Sequence, residues 1–129
     1  MKGHAPLTFA TVAILALIGA GAANAQAGDA AHGKALFNEQ CGLCHAGTAT
    51  ADPGAGPNLF GVIGSKSGTH DAKYGYTDAM KKAGLTWDEG NIVKLLTDPN
   101  KLVPGTSMPI ALPSDKDRED VFAYLSTLK

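Results

Sequence analysis

A chain of 129 residues with 11 basic and 12 acidic side chains carries a formal net charge of −1 at neutral pH. That balance leaves no basic face for nucleic acid and argues against strong steering of partners by a uniformly positive surface. The length suits one small domain whose protein-only core is modest.

Residues 1–25 read as an export signal rather than as structure. Lys2 supplies the positive start, residues 7–18 run for 12 positions without a charge, and Ala23-Asn24-Ala25 fits an A-x-A cleavage site. The run falls short of the roughly 20 apolar residues that a membrane span needs. Cleavage after Ala25 would leave Gln26 as the N-terminus and release residues 26–129 into the periplasm, with no stable membrane insertion. Retention as an anchor is the alternative, because the Gly/Ala-rich stretch prolongs the mild hydrophobicity. Losing Lys2 moves the formal balance from −1 to −2.

Four helical stretches follow, with no convincing strand. The first takes Asp29 as its N-cap and runs toward Cys41, with Gly33, Phe37 and Cys41 at four-residue intervals on one side. Gly33 costs helix stability relative to alanine, which predicts another helix crossing there at close range. Residues 46–75 are mostly loop, because Asp52-Pro53-Gly54, Gly56-Pro57, Gly61, Gly64 and Gly68 break any periodicity. A loop this long is unusual in a compact domain unless it serves a site. A brief helix over residues 77–83 is stopped by Gly84. The third helix opens on Thr86-x-x-Glu89, read as a capping box, buries Ile92, Leu95 and Leu96, and ends before Pro99. The last takes Ser114 as N-cap, with Asp115 and Asp117 at its positive end. Its apolar stripe of Val121, Tyr124, Leu125 and Leu128 is the expected partner of the Gly33/Phe37 face.

Both cysteines of the chain stand in Cys41-Gly42-Leu43-Cys44-His45, the C-x-x-C-H signature of c-type haem attachment. Each thiol can add to a vinyl group of haem, and the short spacer presents both sulfurs to one edge of the ring. His45 is adjacent, where its imidazole can swing under the iron. Two other uses of the cysteines compete. A redox disulfide normally sits after a strand at the start of a helix, and no strand-like run precedes Cys41. Structural zinc usually wants two such pairs or a Cys₂His₂ set, and only His32, His70 and carboxylates remain to finish one. A buried porphyrin would also enlarge the core of so loop-rich a chain.

For a second axial position the mature chain offers Met80, Met108, His32 and His70. His32 lies in the first helix, solvent-facing and too near the attachment site in sequence to reach over the ring. His70 falls in a polar loop, where solvation is expected, and Met80 in the brief helix, where a methionine is usually core filler. Met108 lies in Pro104-Gly105-Thr106-Ser107-Met108-Pro109, whose prolines and glycine exclude regular helix. A loop that lays a thioether on iron accounts for a methionine there; an ordinary loop methionine covering the core is the alternative. His/Met ligation raises the reduction potential and leaves no position for oxygen or peroxide.

With these landmarks in order, residues 28–129 resemble a class I cytochrome c, close to the mitochondrial type and its bacterial periplasmic relatives. The resemblance implies an all-α, small cytochrome c fold, with four to five helices and long loops wrapped around one covalently bound haem c. Gly33 and Phe37 match the glycine and aromatic where the N-terminal helix crosses the C-terminal one, opposite Val121 and Tyr124. Gly56-Pro57-Asn58-Leu59 resembles the loop whose proline carbonyl accepts the axial imidazole N–H, a bond that would hold the tautomer of His45. Tyr76 and Trp87 align with side chains that hydrogen-bond a buried haem propionate, although taken alone both read as core aromatics. Thr106 resembles the threonine beside that propionate, and Met108 the sulfur ligand. Three positions depart from the mitochondrial type, which has arginine at Ser65, asparagine at Met80 and tyrosine at Leu95. The changes remove a positive charge and hydrogen bonds around the propionate and the sulfur, and Met80 brings a second thioether toward the ring.

The function this implies is periplasmic one-electron transport by a monomer, with no catalytic residue. Its partners would be a redox protein donor and acceptor, such as an oxidase, reductase, dehydrogenase or reaction centre. Docking is expected through a small apolar patch including Ile110 and Ala46, rimmed by Lys81, Lys82 and Lys101. A peroxidase-like haem enzyme or ligand sensor with a displaceable sixth ligand is the alternative.

Overall fold

The computed structural model describes Gly3 and residues 27–129. Apart from Gly3, the expected export signal and its cleavage point after Ala25 lie outside the described residues. Among those residues the chain forms five α-helices and no strand, with one isolated β-bridge between Lys66 and Thr86.

The first helix, α1, spans Ala30–Leu36 and continues as a π-helical stretch over Phe37–Cys41. Asp29 caps it, accepting from the amides of Ala31 and His32 at 2.9 and 3.1 Å, which satisfies two of the donors that a helix start leaves free. The sequence pattern anticipated the extent of this element but not its change of winding. Gly42 donates to the Phe37 carbonyl five residues back, and this wider turn hands the chain over to the cysteine motif. Such π turns recur at functional sites.

The last helix, α5, spans Asp115–Leu125 and is capped by Ser114, which accepts from the Asp117 amide at 3.2 Å. Leu128 lies beyond the helix end but is still buried. A β-carbon on Gly33 would fall 1.9 Å from the Asp120 carbonyl oxygen, so α1 and α5 touch backbone to backbone, as the glycine predicted. Phe37 and Tyr124 pack beside the crossing with ring centroids 5.2 Å apart.

Asp120 is buried at the same crossing. Its carboxylate accepts from the Asp29 amide at 2.6 Å and from Lys116 at 2.6 Å, and pairs with His32 Nδ1 at 2.7 Å. Burial alone would raise its pKa, but the hydrogen bonds from Lys116, His32 and Asp29 outweigh it and hold the group at about 2. His32 is therefore tied to α5 rather than simply facing solvent. His70, expected to be solvated, is half-buried with Nε2 2.8 Å from the Phe60 carbonyl, to which it donates.

The short helix α2, Asp78–Lys82, is capped by Thr77, and Gly84 with φ +67° turns the chain out of it. Helix α3 spans Glu89–Thr97 and buries Ile92, Leu95 and Leu96. Its N-cap is Asp88, which accepts from the Asn91 amide at 2.8 Å; the expected Thr86 capping box does not form. Thr86 is drawn into the bridge with Lys66, and its hydroxyl accepts from Lys66 Nζ at 2.8 Å. One more helix, α4 at Pro99–Leu102, begins where the sequence pattern ended. Asp98 caps it, accepting from the Lys101 amide at 3.0 Å. Proline fits a first helical turn because its missing N–H would be unpaired there anyway. The residue that stops α3 starts α4.

Gly33→Ala should destabilise the fold by about 1–3 kcal/mol despite alanine's better helix propensity. Gly90→Ala in α3, whose β-carbon would meet nothing nearer than 3.6 Å, should be neutral or stabilise by up to about 1 kcal/mol. Urea unfolding of the two variants checks that contrast. Asp120→Asn should cost about 1–3 kcal/mol at pH 7. Because the folded pKa of Asp120 is depressed, its contribution is complete above about pH 4 and is lost as pH falls toward 2. Acid titration of stability should therefore bring wild type and variant together at low pH.

Candidate functional site

Walled by α3, α5 and the loops that join the helices lies a cavity of about 310 Å³. Every site residue singled out in the sequence lines it. Cys41, Cys44 and His45 come from the turn after α1, Pro57 from the following loop, and Tyr76 from the approach to α2. Trp87 comes from the segment before α3, and Thr106 and Met108 from the loop between α4 and α5. No charged side chain reaches the lining; Ile92, Leu95 and Leu96 of α3 and Val121 and Leu125 of α5 supply apolar wall.

The cysteine motif is wound by its own backbone. The amides of Cys44 and His45 both donate to the Cys41 carbonyl, at 3.0 and 2.9 Å, so five residues make one helical turn. Both thiols are unpaired. Burial, and then the neighbouring Cys44, push the Cys41 pKa up to about 11. A thiol held protonated is a poor disulfide-exchange nucleophile, which weighs against the redox-disulfide reading. Among the described residues, the His and carboxylate groups close enough to share an ion are His32, Asp117 and Asp120, a group that includes neither cysteine.

His45 Nδ1 lies 2.8 Å from the Pro57 carbonyl. A carbonyl can only accept, so Nδ1 carries the proton and Nε2 keeps a free lone pair. Burial lowers the pKa of His45, partly offset by the Pro57 bond, and the neutral imidazole is the ligating form. Gly56 packs directly on the ring: a β-carbon there would fall 2.5 Å from His45 Cε1. The imidazole is thus held by a hydrogen bond and by the absence of a side chain beside it.

Three donors face the remaining lining. The Tyr76 hydroxyl accepts from the Asp71 amide at 3.0 Å, which leaves its own proton to give. Burial, only partly offset by the hydrogen bond from the Asp71 amide, keeps Tyr76 above the usual phenol range, so it remains a donor. The Thr106 hydroxyl accepts from the Met108 amide at 3.3 Å and likewise keeps its proton. Trp87, only 6 % exposed, lines the same cavity, and its indole N–H can act only as a donor. Two thiols, a neutral imidazole, a thioether and three proton donors on an apolar, uncharged cavity fit haem, a broad apolar ring with an acidic margin.

The Met108 segment is pinned at both ends. Gly105, with φ +90°, makes the bend that precedes it, and the Thr106 amide donates to Val103 at 3.0 Å. Beyond it, the Leu112 amide donates to Leu96 of α3 at 2.7 Å, and the Leu112 carbonyl accepts from the buried Arg118 guanidinium of α5. Of the three departures noted in the sequence, Met80 and Leu95 line the cavity and Ser65 does not. Ile110 reaches the surface at 36 % exposure beside the cavity, but among the described residues the most exposed large apolar side chain is Leu43 at 84 %, which sequence reasoning missed. It also missed Tyr74, which packs edge-on against Tyr76 at 4.9 Å; the Tyr74-Gly75-Tyr76 spacing was the available signal. Asp71, behind Tyr76, carried no sequence signal at all.

Residues 30–129 match the family described as cytochrome c. A protein named cytochrome c2 from Rhodomicrobium vannielii is 46% identical over 102 residues, covering 78% of this chain and 80% of that one. A cytochrome c from Tetrahymena pyriformis is likewise 46% identical over 102 residues, covering 78% of this chain and 90% of its own. Among solved structures, cytochrome cH from Methylobacterium extorquens superposes with a TM-score of 0.72 at 42% identity, over 78% of this chain and 99% of that one. The mostly helical fold, with no strand among the described residues, agrees with these matches: the chain belongs to the cytochrome c family.

Proposed function

We propose that this protein is an exported, periplasmic one-electron carrier that holds one haem c through thioether bonds from Cys41 and Cys44, with His45 and Met108 as axial ligands. One observation carries the reading: both thiols, the Met108 thioether and an imidazole tied to Pro57 converge on a single uncharged cavity. When bound, haem supplies an iron that takes up and releases one electron. His45 offers Nε2 because its other nitrogen is committed to Pro57. Met108, a neutral thioether, favours the reduced state relative to a second imidazole. Tyr76, Trp87 and Thr106 would donate hydrogen bonds to the acidic margin, which offsets the cost of burying charge in an apolar wall. The apolar side chains of α3 and α5 keep water out, so little solvent must reorganise when the charge changes. Filling both axial positions leaves oxygen and peroxide no place to bind, which disfavours the peroxidase-like reading. The relatives named cytochrome c and c2 support the carrier role. Among the described residues, no helix is long and apolar enough to cross a membrane.

Redox protein partners would dock where Ile110, Ala46 and the exposed Leu43 come to the surface, with Lys81, Lys82 and Lys101 as the rim. All three lysines are exposed.

Met108→Ala should abolish the far-red ferric absorption band of sulfur ligation, admit carbon monoxide to the ferrous protein and lower the midpoint potential. Carbon monoxide excluded equally from variant and wild type would mean that Met108 is not the ligand. Neutralising Lys81, Lys82 and Lys101 together should slow reaction with the partner several-fold at about 0.01 M salt, where screening reaches only ~30 Å, and scarcely at all near 1 M, where it acts within ~3 Å. Stopped-flow rates that do not change at low salt would remove the rim.

A further inference from the structure

We infer that Asp71 is a positioning residue that tunes the axial imidazole through the peptide group joining Pro57 to Asn58, an inference that rests on the function proposed above. This one peptide group is engaged at both ends. Its carbonyl accepts from His45 Nδ1 at 2.8 Å, and its N–H donates to Asp71 Oδ2 at 2.9 Å. A carboxylate bonded to the N–H of a conjugated amide pushes electron density onto the oxygen of the same amide. The Pro57 oxygen becomes the stronger acceptor and draws the Nδ1 proton of His45. Nε2 becomes a better electron donor, as hydrogen-bonded metal-ligating histidines do, and the oxidised iron is favoured.

The surroundings hold this relay in place. Asp71 Oδ1 accepts from the Lys73 amide at 3.0 Å, and the Asp71 carbonyl accepts from the Tyr74 amide at 3.1 Å, so the carboxylate sits on a closed turn. The Asn58 side chain donates to the Thr48 and Ala51 carbonyls at 2.8 and 2.9 Å and accepts from the Phe60 amide at 3.0 Å. The peptide plane has no freedom to rotate away from either partner. The amide of Asp71 donates to the Tyr76 hydroxyl, so one residue braces the His45 side of the lining and a donor elsewhere on it.

Asp71→Asn keeps the shape and an acceptor oxygen but removes the charge. The haem-loaded variant should keep its sulfur-ligation band while its midpoint potential rises by a two- to tenfold shift in the exchange equilibrium, at most about 59 mV for one electron. The His45 Nδ1 proton resonance should move upfield as that hydrogen bond weakens. Asp71→Glu, which retains the carboxylate, should return most of both changes. Asp52→Asn, which removes an exposed carboxylate paired with Lys73, should produce neither. An unchanged potential and proton resonance in Asp71→Asn would overturn the inference, as would an equal rise in Asp52→Asn. If Asp71→Asn does not accumulate, the Asn58 amide of the wild-type holoprotein decides: slow solvent exchange supports the bond to Asp71, and rapid exchange overturns it. Wild-type protein without attached haem would sink the proposed function instead, so the two failures are distinct.

Discussion

The contact that everything else leans on is the backbone crossing of α1 and α5 at Gly33. The end of α1 delivers the cysteine turn, and α5 supplies Val121 and Leu125 to the wall that this turn faces. Any side chain at Gly33 would collide with the Asp120 carbonyl and force the two helices apart, and the cysteines would move with α1. Asp120 bonds the entry of α1 to the same crossing through the Asp29 amide and His32, so the angle between the helices is set by polar as well as apolar contact.

Core and site are one object in this protein. Nine of the twelve buried apolar side chains among the described residues also line the cavity, which means that the walls lack partner atoms on their inner side unless something apolar fills the space. A domain this small has little core to spare. The cofactor would therefore act as the centre of the hydrophobic core, and the loops over residues 46–77 supply part of its wall through Pro57, Leu59, Val62, Tyr74 and Tyr76. The electrostatics agree. Charges are kept at the helix crossings and on the surface, while the cavity is left with neutral donors and ligands only.

Much of this was legible in the sequence, for physical reasons that differ by element. Cys41-Gly42-Leu43-Cys44-His45 is readable because its chemistry is local: the spacing itself presents both sulfurs and the imidazole. Gly33 is readable because glycine is costly inside a helix and so signals a close neighbour. Asp29 and Ser114 cap as expected, since nothing competes for their side chains. Thr86 fails as a cap because a distant partner, Lys66, claims it, and no local pattern announces a pairing twenty residues away. Pro99 was read as a stop when it is also a start, because proline ends one helix and suits the first turn of the next. Asp71 was invisible for the same reason as the bridge: its role is created where two distant parts of one long loop, residues 57–58 and 71–76, meet, and composition treats it as one more polar loop residue.

The central claim is that this polypeptide carries a porphyrin bonded to both cysteines in the cavity they line. Intact-mass spectrometry under denaturing conditions, on protein exported in its native host, tests it most directly. The account predicts a mass equal to the processed chain plus one haem, surviving denaturation, and reduced to the bare chain when Cys41 and Cys44 are both replaced by alanine. A wild-type protein at the mass of the bare polypeptide would contradict it.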